Sequence, residues 1–139
     1  MSTELFVDAG AWIALADADD QYHQLAAQAY PELLRRYRRL VTTNLAIAEA
    51  YIVIRRALGH RAAMTFLDGL GASLRIEKVY SGPGLEVEAK RILRQYADQD
   101  FSYVDAVSFA LMHHRDLTDA FAFDQHFTTA GFVCVPPTS

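Results

Sequence analysis

Short apolar runs recur along the chain, and each stops at a polar residue or a proline. Leu5-Phe6-Val7 ends at Asp8, Leu40-Val41-Thr42-Thr43 at Asn44, Ala120-Phe121-Ala122-Phe123 at Asp124, and Phe132-Val133-Cys134-Val135 at Pro136-Pro137. Runs of this length predict strands buried on both faces, as in a parallel sheet. The segment Leu74 to Val79 alternates instead, which predicts an edge-type strand. Helical spacing fills the intervals. Leu25, Ala29, Leu33 and Tyr37 recur every four residues and predict a helix over 22–39. A helix capped by Asn44 runs to Leu58 and stops at Gly59, and a further one spans 61–70 before Gly71. Two more cover 85–96 and 103–114, the latter with the stripe Val104, Val107, Ala110 and Leu111. Ala9-Gly10 reads as a turn, Asp17, Asp19 and Asp20 as a polar loop, and Ser81-Gly82-Pro83-Gly84 as another loop. Strands alternate with helices throughout, with no repeat or linker. The pattern predicts one α/β domain over 1–139 built on a mainly parallel sheet.

The chain has 139 residues, 52% of them hydrophobic, which suffices for one core. Thirteen basic residues face seventeen acidic ones for a net charge of −4, so this is not a generic polyanion-coating protein. Local basic clusters remain: Arg35, Arg36, Arg38 and Arg39; Arg55, Arg56 and Arg61; Lys90, Arg91 and Arg94. Each suits phosphate contact, but any one of them alone is more readily read as a solvated helix face. The one cysteine, Cys134, excludes an intrachain disulfide, points to a reducing compartment and reads as a small buried hydrophobe. The opening Met-Ser-Thr-Glu-Leu lacks the positive region of a secretory leader, and no apolar run nears the roughly 20 residues of a membrane span. A cytoplasmic protein without membrane contact is expected.

Four acids sit where packing does not explain them. Asp8 follows a buried-looking strand, and Glu49 is the only charge between Leu45 and Ile54. Asp105 lies in the first turn of an apolar helix, and Asp124 follows the run 120–123. In an open α/β sheet such positions share the carboxyl edge of the strands. Each has a plain alternative: a loop-opening residue for Asp8, an exposed helix position for Glu49, a capping box with Ser102 for Asp105, a turn or cap for Asp124. Gathered together, four carboxylates raise one another's pKa unless a cation intervenes. An all-oxygen cluster without cysteine or histidine suits Mg²⁺ or Mn²⁺ rather than Zn²⁺. Metal-assisted phosphodiester hydrolysis is therefore the leading chemistry. The five histidines show no metal-ligand spacing, and the chain has neither a Walker loop nor a nucleophile elbow. A receiver-type phosphoacceptor reading fails, because Asp8 lacks an adjacent acid and no lysine follows Lys90.

The segments Leu5-Phe6-Val7-Asp8, Thr43 to Tyr51 around Glu49, Phe101 to Ala106 around Asp105, and Ala122 to Phe127 around Asp124 resemble the four acidic motifs of PIN-domain ribonucleases. The closest likeness is to VapC-type toxins of prokaryotic toxin–antitoxin pairs, and it covers nearly the whole chain. The resemblance implies a three-layer α/β/α sandwich and an endoribonuclease dependent on Mg²⁺ or Mn²⁺. It also implies a homodimer silenced by a cognate antitoxin. Asp8, Glu49, Asp105 and Asp124 take the family's catalytic and metal positions, with Asp119 close enough to compete for the fourth. Thr43, Asn44 and Asp100 are candidates for the site's surroundings or for substrate contact. Many members carry Ser or Thr two residues after the first Asp, where this chain has Gly10. The alternative is a non-catalytic PIN-like RNA-binding module, against which the complete acidic set argues.

Overall fold

The computed structural model describes residues 3–138. Met1, Ser2 and Ser139, which the span 1–139 and the leader reading include, lie outside the described residues. The element order is β1 (Glu4–Val7), α1 (Ala9–Ala16), α2 (His23–Arg36), β2 (Arg39–Thr43), α3 (Asn44–Leu58), α4 (His60–Ala72), β3 (Ile76–Val79), α5 (Pro83–Gln95), α6 (Tyr103–His114), β4 (Asp119–Phe121), α7 (Gln125–Thr129) and β5 (Val133–Val135). The strands form one sheet in the order β3-β2-β1-β4-β5. Every pairing is parallel, with Phe6 opposite Val41 on one side and Ala120 on the other.

Side-chain alternation divides the core in two. Leu5, Val7, Leu40 and Phe121 pack with Trp12, Ala26, Leu33, Ala50 and Ile54 of α1, α2 and α3. Phe6, Val41 and Ala120 pack with Ala89, Ile92, Val107, Phe109 and Phe127 of α5, α6 and α7. One face of each central strand thus meets the first four helices and the other face the last three. The result is the α/β/α sandwich with a parallel sheet between layers.

The connections double back at β1. From it the chain winds outward through β2 to β3, then returns across the sheet to β4 and β5. The carboxyl ends of β1 and β4 therefore flank the point where winding reverses, where open α/β sheets leave a crevice.

Several boundaries differ from the sequence reading. Ala9-Gly10 opens α1 rather than forming a separate turn, since Asp8 has extended geometry and serves as the N-cap residue. Pro83-Gly84 likewise forms the first turn of α5, because a proline's fixed φ suits that position. Asn44 is the first residue of α3, not its cap. The cap is Thr43, whose Oγ1 accepts from Ala46 N at 3.0 Å, while Asn44 Oδ1 accepts from Ser81 N at 2.8 Å and holds the loop after β3. Gly59 joins α3 to α4 at φ 94°, in the left-handed region that a side chain would strain.

Candidate active site

Asp8 is the deepest of the acids. Its backbone N–H donates to Phe121 O at 3.0 Å, which fixes it beside β4, and its side chain is 5% exposed. Beneath it, Trp12 Nε1 donates to Thr42 Oγ1, which donates in turn to Val7 O at 2.8 Å. These bonds tie α1 and β2 to the end of β1, so the aspartate rests on a fixed floor. Burial raises the Asp8 pKa most, the charge of Asp105 next, and Glu49 and Asp124 add to them. A hydrogen bond from the Ala9 backbone offsets part of this, and the value stands at about 7.

Asp105 is 7% exposed at the start of α6. Its Oδ2 accepts from Ser102 N, and its own N–H donates to Ser102 Oγ, both at 3.0 Å. The capping box read from the sequence is therefore present, and it does not compete with a role in the site. The box aims the carboxylate, and the same Oδ2 also meets His126 Nδ1 at 3.0 Å. Asp124 caps α7 by accepting from His126 N at 2.9 Å, and its Oδ1 lies 3.4 Å from His126 Nδ1.

Glu49 is exposed on α3, one and a half turns in. Partial burial raises its pKa, followed by the charges of Asp105 and Asp124. The apolar surroundings that made a buried Glu49 plausible are themselves at the surface: Ile52 is 47% and Val53 39% exposed. The four acids thus form one electrostatic neighbourhood, in which each ionised member opposes the next.

The reading of an all-oxygen cluster without histidine is corrected. Ligand atoms of Asp105, Asp124 and His126 lie within 4.8 Å of one another, close enough for one cation. An imidazole ligand adds affinity for transition ions, whereas the carboxylates suit Mg²⁺ and Mn²⁺ alike. Burial lowers the His126 pKa, but the Asp105 hydrogen bond and the charges of Asp124, Asp105 and Asp100 outweigh it and hold it above its ordinary value. The imidazole can thus carry a proton, which partly neutralises the carboxylates in the metal-free protein. The available signal was an acid and a histidine two residues apart at a helix start, since the cap that fixes Asp124 also turns His126 back toward it.

Other candidates fall into place. Asp100 is exposed and close enough to bear on His126. Thr43 is fully buried as a cap. Asp119 does not compete with Asp124. It opens β4 at the opposite edge of the sheet, where it accepts from the Tyr37 hydroxyl and from Thr118. Asp119→Asn should leave nuclease activity within about twofold while costing on the order of 1 kcal/mol in urea unfolding. Cys134 is only half-buried; its thiol lies 3.8 Å from Asp124 O, and burial pushes its pKa up, which leaves it unreactive. Arg38 and Arg39 sit at the amino edge of β2, Arg55 and Arg56 in the last turn of α3, and Lys90 to Arg94 in the second half of α5. Arg35 and Arg36 lie in the last turn of α2, and Arg61 lies in the first turn of α4.

The chain matches the PIN domain over residues 5–133. It is 34% identical over 134 residues to the 23S rRNA-specific endonuclease VapC20 of two Mycobacterium tuberculosis strains, spanning 96% of this chain and 98% of theirs. The crystal structure of Mycobacterium tuberculosis VapC20, described as a sarcin–ricin-loop-cleaving toxin, superposes with a TM-score of 0.88 at 32% identity. That match covers 96% of this chain and 99% of the other.

Proposed function

The chain belongs to the PIN-domain family, and from that membership we propose that it is a divalent-metal-dependent endoribonuclease, the toxin of a VapBC-type pair. The observation that carries the metal dependence is Asp8, a nearly buried carboxylate pushed up to about 7 beside three further acids. Such a cluster is costly alone and favourable around a cation. Asp8, Asp105 and Asp124 would hold Mg²⁺ or Mn²⁺, with Glu49 at the rim and His126 completing or orienting the set. A cation bound there supplies an acidified water and a counter-charge for phosphate oxygens.

The protein's own groups do the positioning. The Ser102 box fixes the Asp105 rotamer, the α7 cap fixes Asp124, and the Thr42–Trp12 bonds hold the backbone beneath Asp8. Asp8 would join the cation's ligands in its ionised form, which the cation favours over the protonated one. His126 would join them as the neutral imidazole, so that binding of the cation releases its proton.

The relatives named as 23S rRNA-specific make ribosomal RNA the substrate class of choice. The exposed Ile52, Val53 and Leu58 on α3 give an apolar surface that a second copy or an antitoxin would cover, which supports a homodimer bound by its cognate antitoxin. No helix among the described residues is long and apolar enough to cross a membrane, and a cytoplasmic location follows from a ribosomal substrate.

The test is incubation of purified protein with ribosomal RNA and Mg²⁺ or Mn²⁺, with an EDTA control. A discrete metal-dependent cut is expected, and intact RNA under all conditions would refute the proposal. His126→Ala should weaken Mn²⁺ binding roughly tenfold by titration calorimetry, more than it weakens Mg²⁺ binding. Equal affinities for wild type and variant would remove His126 from the metal's surroundings.

A further inference from the structure

Beside the carboxylates lies a cavity of about 650 Å³ that the proposed chemistry leaves unused. Asp124 and His126 form one wall of it, and Gly10 another part. Two aromatic rings border it: Tyr22, after the acidic loop, and Phe123, immediately before Asp124. They stack face to face with centroids 4.5 Å apart and planes 2° from parallel. Three exposed glutamines, Gln21, Gln99 and Gln125, also line the space, and their side-chain amides make no hydrogen bond among the described residues.

Gly10 keeps the cavity open toward the acids. A Cβ added there would stand 3.7 Å from Asp8 Oδ2, so a side chain would begin to fill the strip between cavity and carboxylate.

An aromatic stack that borders the cavity and that a further ring would extend, unpaired amides and an adjoining carboxylate cluster answer to one ligand chemistry. Unstacked RNA bases are held by stacking on aromatic rings and by hydrogen bonds to their edges. An amide, which donates and accepts at once, is suited to reading such an edge. Resting on the endoribonuclease reading, we propose that this cavity is a base-reading subsite. It would receive a splayed-out nucleobase next to the scissile phosphate, with Tyr22 and Phe123 as platform and Gln99 and Gln125 as readers. Cleavage would then depend on the identity of one nucleotide at a fixed distance from the cut.

The experiment uses the full chain, Mn²⁺ and a hairpin RNA pool randomised in its loop, with cut ends sequenced. One base should be enriched at least tenfold at a single position beside the cut. Replacing that nucleotide by an abasic one in a defined hairpin should lower kcat/KM by roughly 10- to 100-fold, the range of a lost stack plus edge contacts. Gln99→Ala and Gln125→Ala, both at exposed positions, should flatten the base preference. In those variants the abasic penalty should shrink several-fold, a coupling that a merely structural role would not produce. Phe123→Leu should raise KM for the intact hairpin and leave the abasic hairpin little changed. Cleavage without base preference, or an abasic penalty unchanged in both glutamine variants, overturns the subsite while leaving the nuclease reading in place. No cleavage of any RNA by the wild type refutes the nuclease reading and the subsite together.

Discussion

Asp105→Asn should reduce RNA cleavage by at least 10²–10³-fold, with little change in the fold. Charge-stabilising groups at a reaction centre are worth about that much singly, and loss of a carboxylate from the group of Asp105, Asp124 and His126 would weaken the hold of the proposed cation as well. The fold survives because an asparagine Oδ1 still accepts from Ser102 N, and the backbone half of the capping box is untouched. Asp105→Ala gives the contrast. It should be equally inactive, but it removes the side-chain half of the box and should cost about 1 kcal/mol more in stability. Far-ultraviolet circular dichroism and urea midpoints separate the two variants. Full activity in Asp105→Asn would refute the assigned site.

The second large effect concerns stability and has the opposite sign. In the metal-free protein, Asp8→Asn should stabilise the fold above pH 7. The Asp8 carboxyl titrates near 3.8 when unfolded and near 7 in the folded protein, because burial and the charge of Asp105 disfavour its ionised form. Below pH about 4 both states hold the proton, and Asp8 carries no penalty. Between about 4 and 7 the unfolded chain releases the proton while the folded one retains it, so stability falls by about 1.4 kcal/mol per pH unit. Above 7 the penalty is complete, up to about 4 kcal/mol, or roughly 10 °C in melting temperature for a domain of this size. The neutral asparagine avoids it and keeps an acceptor for the Ala9 N–H. A divalent cation should recover the same stability in the wild type, by binding the folded state alone, and should have little effect on the variant. Thermal melts from pH 4 to 8, with EDTA or Mn²⁺, measure all of this. A wild type whose melting point does not fall with pH relative to Asp8→Asn would refute the account of Asp8.

Much of this was visible in the chain itself. The strands announced themselves because a sheet covered on both faces needs unbroken apolar runs such as Leu5 to Val7. Tyr103 to His114 is the helix that its stripe predicted. The co-location of Asp8 and Asp124 was legible because both follow strands whose carboxyl ends must share an edge. What stayed hidden depended on short-range geometry. Whether Thr43 or Asn44 caps α3 is a matter of one residue of φ and ψ, and neighbouring cap formers look alike in sequence. His126 was passed over because ligand spacing describes one element at a time, and its partner Asp105 sits on another helix. Asp119 and Asp124 differ by five positions, but a strand lies between them, and a strand carries its two ends to opposite sides of the molecule. The exposed Glu49 misled because an apolar neighbourhood signals burial in an isolated chain, and here part of that neighbourhood is surface.

The reversal of winding at β1 has a bearing on how the molecule comes to be made. Asp8 leaves a ribosome well before Asp124, and β1 finds its neighbour β4 only once all the elements between them have been synthesised. A nascent polypeptide ending before β4 contains β1, β2 and β3 but lacks the fourth acid, the α7 cap and His126. Its acidic cluster is therefore incomplete until β4 and α7 have been made. Whatever activity depends on that cluster would therefore arise only after β4 and α7 have joined the elements made before them.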